Sequence, residues 1–108
     1  MSSYEASEII GNISAVTVRN ELGSGAPYAR IGVGVSVYES GETFTRWYSV
    51  ILRGSTYDYT ELEQKFPKGK MILVKGKPRF KVKLPKDGQS EPSIEFTIFP
   101  TEPPRVLG

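Results

Sequence analysis

Apolar and polar residues alternate with period two in five stretches of the chain, and breaks rich in glycine and proline separate these stretches. Such alternation is typical of β-strands that bury one face. The clearest stretch is Ala29–Tyr38, where Ile31 and three valines share one face. The pattern predicts strands over Ile9–Arg19, Ala29–Tyr38, Phe44–Arg53, Met71–Leu84 and Ser93–Phe99.

The breaks predict how the strands are connected. We expect loops at Asn20–Pro27 and Pro85–Pro92, and a tight turn over Glu39–Glu42. One short helix is expected over Thr60–Phe66, because Thr60 and Glu63 have the spacing of a capping box. Three prolines are expected to end regular structure after the fifth strand: Pro100, Pro103 and Pro104.

The order of these elements favours a closed barrel. A chain of 108 residues fits one domain, and five short strands in an open sheet would leave edges and apolar faces exposed. A five-stranded Greek-key barrel with its helix between strands three and four has the order of the OB-fold. We predict this all-β fold over residues 1–108, with a core at about 9–100 and a proline-rich end at 100–108. A small sandwich or an SH3-like barrel is the alternative, and the position of the helix argues against it.

The fourth strand contains Pro78, which cannot donate to the β-ladder, so this part is expected to be a sheet edge or a projecting arm. Along it cations recur at every second residue, and Phe80, Val82 and Leu84 occupy the opposite face. In an extended chain such cations project from one face about 6–7 Å apart. They are Lys75, Lys77, Arg79, Lys81 and Lys83.

Composition adds a charge asymmetry that the net charge of +2 hides. Nine of the 14 basic residues lie between Lys65 and Lys86, where there is no acid, so the rest of the chain has five basic and 12 acidic residues. A segment this basic indicates a polyanionic partner, either nucleic acid or an anionic membrane surface. The alternative is a lysine-rich solvated edge that keeps strands from aggregating.

The chain has neither cysteine nor histidine. Disulfides, thiol nucleophiles, cysteine-rich zinc sites and histidine-dependent catalytic triads are therefore excluded. No constellation of carboxylates suggests a metal centre, and we expect a protein without cofactor or enzymatic activity. The first ten residues lack the basic start of a signal peptide, and no apolar run approaches the roughly 20 residues of a spanning helix. We therefore expect a soluble, cytoplasmic protein that does not bind membranes.

Strand parity places Trp47 and Arg53 on the outside, because Tyr48, Val50 and Leu52 form the more apolar face of the third strand. An outward tryptophan on a central strand is typical of a platform on which a nucleic-acid base stacks. The alternative is that Trp47 packs under a loop or in a dimer interface.

The outward face of the second strand contains Gly32 and Gly34, which give up side-chain packing. These glycines either let a small barrel bend or let a ligand approach the backbone, and the two interpretations are compatible. Arg30 and Tyr38 flank them, and Tyr28 has the same parity. Among the remaining aromatic residues, core positions are expected for Phe44, Phe66 and Phe96.

Four segments together resemble a known family. Ile9–Ile13 is similar to its opening strand, Thr45–Gly54 to its tryptophan-containing third strand, and Lys68–Gly76 to the start of its fourth strand. Asp87–Gln89 fits the turn of the following arm. In their order and spacing these segments resemble the bacterial and phage single-stranded DNA-binding protein (SSB) family, over about Ile9–Leu107.

The resemblance implies an OB-fold that binds single-stranded DNA without catalysis, as a homo-oligomer, in replication, recombination and repair. It implies that Trp47 stacks on a base and that the basic arm follows the phosphates, in agreement with strand parity. The residues predicted to stack on bases are Trp47, Tyr28, Tyr38 and Phe80. The residues predicted to contact phosphates are Arg30, Arg53, Lys75, Lys77, Arg79, Lys81 and Lys83.

The sequence departs from the family pattern in three respects. Arg53 and Lys83 stand where the family often has aromatic residues. The acidic C-terminal tail that recruits partners in cellular members is missing, which indicates a compact phage-, plasmid- or mobile-element-type member or a shortened form, and does not support partner recruitment. Two alternatives remain open: a related OB-fold module for RNA or primosome-type binding, and a protein–protein adaptor whose exposed Trp47 lies in an interface.

Overall fold

The computed structural model describes residues 7–20, 27–54, 57–85, 88 and 93–107. Most of the two predicted loops, the residue Asp87 and the basic residue Lys86 lie outside this described part. Within it, no helix is both long and apolar enough to span a membrane. The elements in chain order are β1 (Ser7–Asn20), β2 (Pro27–Glu39), β3 (Glu42–Arg53), α1 (Leu62–Lys65), β4 (Met71–Lys83), β5 (Ser93–Pro100) and β6 (Arg105–Leu107).

The first five strands close into a barrel. β1 pairs antiparallel with β2 through its second half and with β4 through its first half, so it joins the two ends of the sheet. β2 pairs with β3 and β4 with β5 in antiparallel fashion, whereas β3 and β5 run parallel. The barrel order is therefore β1-β2-β3-β5-β4, with α1 between β3 and β4 in sequence. The predicted all-β OB-fold is confirmed.

The core collects the inward residues of all five barrel strands. One row of paired residues runs from Val16 through Ile31, Val50 and Ile98 to Pro78. Among the described residues twelve apolar side chains are buried, and Tyr57 and Tyr59 pack against them. The buried residues are Ile9, Ile13, Ala29, Ile31, Val33, Val50, Leu52, Leu62, Phe66, Ile72, Val74 and Ile98.

A β-bulge at Ser14 changes the phase of β1, because the register with β2 shifts between Ile13 and Ala15. Ile13 points inward before the bulge, and Val16 packs against the core after it. The hydroxyl of Ser14 donates a hydrogen bond of 3.1 Å to the carbonyl of Gly32 on β2. One strand can therefore bury alternate residues against both of its partners.

Two connections follow the sequence prediction. The β2–β3 turn has Ser40 at φ 54° and Gly41 at φ 81°, the positive values that a two-residue hairpin turn requires. Beyond Gly76, β4 pairs with β5 alone within the described residues, and we call this part of β4 the arm. Pro78 lies in it at an edge of the sheet, as expected, because its partner Ile98 pairs on the other side with Val50 of β3. The missing N–H of Pro78 therefore interrupts no second ladder.

Three predictions about the helix, the chain end and one aromatic residue are wrong. Thr60 does not cap α1, because its hydroxyl donates to Asp58 Oδ1 at 2.6 Å, and hydrogen bonds from Thr60 lower the pKa of that carboxyl.

Regular structure continues past Pro103 and Pro104, since the backbone N–H groups of the following residues can donate again, and these residues form β6 against Met71–Leu73. Phe44 is 41% exposed instead of buried, because it lies at the outer end of the β2–β3 hairpin.

Candidate nucleic-acid interface

One side of the sheet collects most of the predicted site residues. Partners in a β-ladder point to the same side of the sheet, and one such row crosses all five barrel strands. It runs from Ala15 through Gly32, Ser49 and Thr97 to Arg79. This side faces away from the core. We call it the outer face where it is formed by β1 from Ala15 onward, by β2, β3 and β5, and by β4 beyond Gly76.

The outer face is strongly basic. Among its described residues seven are cationic and one, Glu95, is acidic; Glu95 lies opposite Lys81. Arg19 belongs to this face because it pairs with Tyr28, which pairs in turn with Arg53, and it was not among the predicted site residues. A surface of this kind attracts a polyanion. Its cations are Arg19, Arg30, Arg53, Lys77, Arg79, Lys81 and Lys83.

Trp47 lies near the middle of the outer face and is 59% exposed, as strand parity predicted. It pairs across the ladder with Gly34. A β-carbon at position 34 would lie 2.9 Å from Cζ3 and 3.1 Å from Cη2 of the indole. The ring therefore covers the backbone of Gly34, and the glycine provides room for Trp47.

A groove of about 460 Å³ begins beside Trp47 and extends to the outer end of the arm, where Lys83 and Glu95 line it. Arg30 lies in the same groove, and its Nε donates a hydrogen bond of 2.8 Å to Ser49 Oγ. Ser49 is 6% exposed, so its hydroxyl is a fixed acceptor that orients the guanidinium. An aromatic wall beside an oriented cation suits a nucleotide, whose base stacks while its phosphate pairs with the charge.

Tyr28 and Tyr38 lie on the outer face at opposite ends of β2. Ten residues of strand separate them, which corresponds to roughly 33 Å. Tyr38 is 75% exposed, and Tyr28 is half-buried between its ladder partners Arg19 and Arg53. Together with Trp47 they give the outer face aromatic rings at both ends and in the middle.

Phe99 is a further candidate residue of this face that is not among the residues predicted from the sequence. It pairs with Lys77 and follows the buried Ile98, so it points to the outer face. The Cζ atoms of Arg53 and Arg79 lie 5.7 and 5.2 Å from the centroid of its ring. Parity relative to Ile98 was the signal that could have identified it.

Phe80 does not lie with the other predicted stacking residues. It belongs to the row that runs through Val33, Tyr48 and Phe96, on the core side of the sheet. Its ring is 5.2 Å from that of Phe96 and remains 64% exposed, because the arm extends beyond the closed barrel. A nucleic-acid strand bound to the outer face would reach Phe80 only by crossing the edge of the arm.

Lys75 lies before Gly76, outside the arm, and pairs with Glu8 of β1. Its ammonium lies 3.8 Å from a carboxylate oxygen of Glu8 and 3.8 Å from one of Glu102. These acids offset its charge, although half-exposed ion pairs of this kind are weak. Lys75 is therefore less available to a phosphate than the cations beyond Gly76.

The titratable groups with shifted pKa values lie in the segment before α1. Burial raises the pKa of Tyr57 and of Tyr59, and the neighbouring Asp58 has the lowered pKa described above. In the part of the chain that the structure describes, no three His, Cys, Asp or Glu side chains are grouped so as to hold a metal ion.

Comparisons with known proteins support the fold along the whole chain. No family model matches the sequence, and no curated protein matches it. The Plasmodium falciparum SSB in complex with ssDNA is similar in structure with a TM-score of 0.68 at 14% identity, over 100% of this chain and 98% of that chain. The small single-stranded DNA-binding protein from Streptomyces coelicolor has a TM-score of 0.70 at 13% identity, over 98% of this chain and 96% of that chain.

Proposed function

We propose that this chain is an SSB-type protein that binds single-stranded DNA without sequence preference on the outer face. The observation that carries the proposal is Trp47, 59% exposed over Gly34 at the centre of a face with seven cations. The fold supports it, because both structural neighbours named above are described as single-stranded DNA-binding proteins.

Binding on this face needs two kinds of contact. Each base that stacks on an aromatic ring contributes roughly 1–3 kcal/mol, whatever its identity, because every base has a π-face. Trp47 is the principal platform, with Tyr28 and Tyr38 at the ends of β2. The cations add a sequence-independent term through the release of counterions from the phosphates.

The phosphate contacts follow from the placement of the cations. Arg30, oriented by Ser49, holds one phosphate beside Trp47, and the arm guides the DNA strand away from the barrel. Lys75 contributes less because carboxylate oxygens of Glu8 and Glu102 each lie 3.8 Å from its ammonium and offset part of its charge. The residues assigned to phosphates on the outer face are Arg30, Arg53, Lys77, Arg79, Lys81 and Lys83, to which the structure adds Arg19.

No step of this function makes or breaks a covalent bond, so we propose a binding protein and not an enzyme. Such a protein protects exposed single strands during replication, recombination and repair. We propose that it acts as a homo-oligomer in the cytoplasm, or in the host cytoplasm if a phage encodes it.

The direct test is a titration of the protein with oligo-dT at low salt, monitored by the fluorescence of Trp47, the only tryptophan. We expect quenching, because the base stacks on the indole. Anisotropy of a labelled oligo-dT should show that Trp47→Ala raises the Kd about 5- to 150-fold, the equivalent of roughly 1–3 kcal/mol. Phe44→Ala, on the other side of the sheet, is the matched control and should leave Kd unchanged.

An absence of both quenching and salt-sensitive binding would overturn the proposal and favour a protein–protein adaptor. Competition between oligo-dT and oligo-U of equal length separates DNA from RNA binding. Tighter binding of oligo-U would instead favour the related OB-fold modules that bind RNA.

A further inference from the structure

Phe99 brings together two arginines from different strands. It lies on β5, between β3 and β4, and a guanidinium from each neighbour lies over its ring. The Cζ of Arg53 on β3 is 5.7 Å from the ring centroid, and the Cζ of Arg79 on β4 is 5.2 Å from it. At such distances the ring quadrupole attracts the cation.

The ring limits the freedom of both side chains. An arginine that rests on an aromatic ring has a defined plane, so less conformational entropy is lost when that plane binds a ligand. The other cations of the arm beyond Gly76 are all lysines: Lys77, Lys81 and Lys83. A lysine carries a compact charge, whereas a guanidinium offers a flat surface and a fork of N–H donors.

The cluster lies on the same face of the sheet as Trp47. Six residues of β3 separate Trp47 from Arg53, so the two side chains are roughly 20 Å apart on the same face. A hollow of about 420 Å³ lies beside the ring at the edge of the arm, and it is lined by Arg79, Phe80, Lys81, Glu95, Thr97 and Phe99. A DNA strand that runs along β3 therefore meets a second aromatic and cationic position, a few nucleotides from the one at Trp47.

We propose that Arg53, Phe99 and Arg79 form a second base-binding subsite for single-stranded DNA. A base stacks on a guanidinium plane, as bases do on arginine in single-strand recognition, and the N–H fork binds the adjoining phosphate. Phe99 is the positioning residue that holds the planes. The subsite rests on the proposed function, since its ligand is the same strand.

The test distinguishes the effect of the flat guanidinium groups from the effect of their positive charge. The double variant Arg53→Lys/Arg79→Lys keeps both positive charges and removes both guanidinium planes. We compare its affinity for oligo-dT with its affinity for an abasic oligomer of equal length, which has the same phosphates and no bases. We expect the variant to bind oligo-dT about 5- to 100-fold more weakly and the abasic oligomer within about two-fold of wild type. Phe99→Leu should reproduce this base-dependent loss.

Two matched controls make the same types of substitution at residues outside the proposed subsite. Arg105→Lys changes an exposed arginine on β6, outside the outer face, and should change neither affinity. Phe44→Leu removes a ring that lies 5.8 Å from the Cζ of Arg46 on the other side of the sheet, and should likewise have no effect. Thermal unfolding checks that each variant is folded.

The outcomes distinguish the subsite from the function on which it rests. Equal losses for oligo-dT and the abasic oligomer would mean phosphate contacts alone and overturn the subsite, as would wild-type affinity in both Phe99→Leu and the double variant. Wild-type protein that fails to bind oligo-dT would overturn the proposed function and the subsite together.

Discussion

The indole of Trp47 rests on the backbone of Gly34, its partner across the β2–β3 ladder, so that no atom can be added to Gly34 without moving the ring. The glycine supports the inner surface of the indole and leaves its outer surface to solvent. A platform held in one orientation loses little entropy when a base stacks on it.

Gly34→Ala should therefore weaken DNA binding without unfolding the protein. The new methyl group would meet Cζ3 of Trp47 at 2.9 Å and Thr45 Cγ2 at 3.2 Å. Since the indole is exposed, it can swing away, and alanine recovers about 0.5–1 kcal/mol that glycine costs in a strand. We expect a lower affinity for oligo-dT, with a melting temperature close to that of wild type. Unchanged affinity and unchanged quenching would show that the orientation of Trp47 is unimportant.

Salt dependence should distinguish the cations of the arm from Lys75. Each phosphate contact contributes about −0.7 to the slope of log K against log salt, so the slope is near −3.5 if about five of the assigned cations contact phosphates at once, and near −5 if all of them do. Lys81→Gln should reduce this slope by about 0.7, whereas Lys75→Gln should change it less, because Glu8 and Glu102 already compensate that charge. Lys65→Gln, on α1, is the control and should leave the slope unchanged. Equal changes for Lys75 and Lys81 would contradict the assignment.

Phe80→Ala should affect binding far less than Trp47→Ala, because the two rings lie on opposite sides of the sheet. We expect less than a two-fold change in the Kd of oligo-dT for Phe80→Ala, and the 5- to 150-fold rise given above for Trp47→Ala. Both variants would be measured by anisotropy of the same labelled oligomer. A comparable loss for Phe80→Ala would instead indicate that the strand crosses the edge of the arm and stacks on Phe80.

Closure of the barrel depends on Gly76, where β4 passes from its partner β1 to its partner β5. A β-carbon there would collide with the carbonyl oxygen of Phe99 and lie 2.8 Å from Ile98 Cγ2. Because the obstacle includes backbone, Gly76→Ala should destabilise the fold by about 1–3 kcal/mol. Urea unfolding measures the effect, and Gly34→Ala is the matched control, since its obstacle is a movable side chain. Wild-type stability of Gly76→Ala would refute the prediction.

Period-two alternation was sufficient to predict the five barrel strands and the outward position of Trp47, because a buried face constrains every second residue. The same rule did not place Arg19 on the outer face. The bulge at Ser14 reverses which residues of β1 point outward, and the sequence around Ser14 gives no sign of a bulge. The rule also missed β6, whose three residues are too few to show a period. The meeting of Arg53, Phe99 and Arg79 depends on the parallel pairing of β3 with β5, which local patterns do not specify.

That parallel pairing also links folding to binding. Trp47 and Phe99 come from distant parts of the chain, and their strands become neighbours only once β4 and β5 have formed and the sheet has closed. Contacts between such distant segments form slowly. A nascent or partly unfolded chain therefore has no continuous surface that can bind a DNA strand. Bound DNA would in turn favour the closed barrel by mass action. The apparent Kd is the intrinsic Kd divided by the completely folded fraction of the population, so incomplete folding by itself weakens binding.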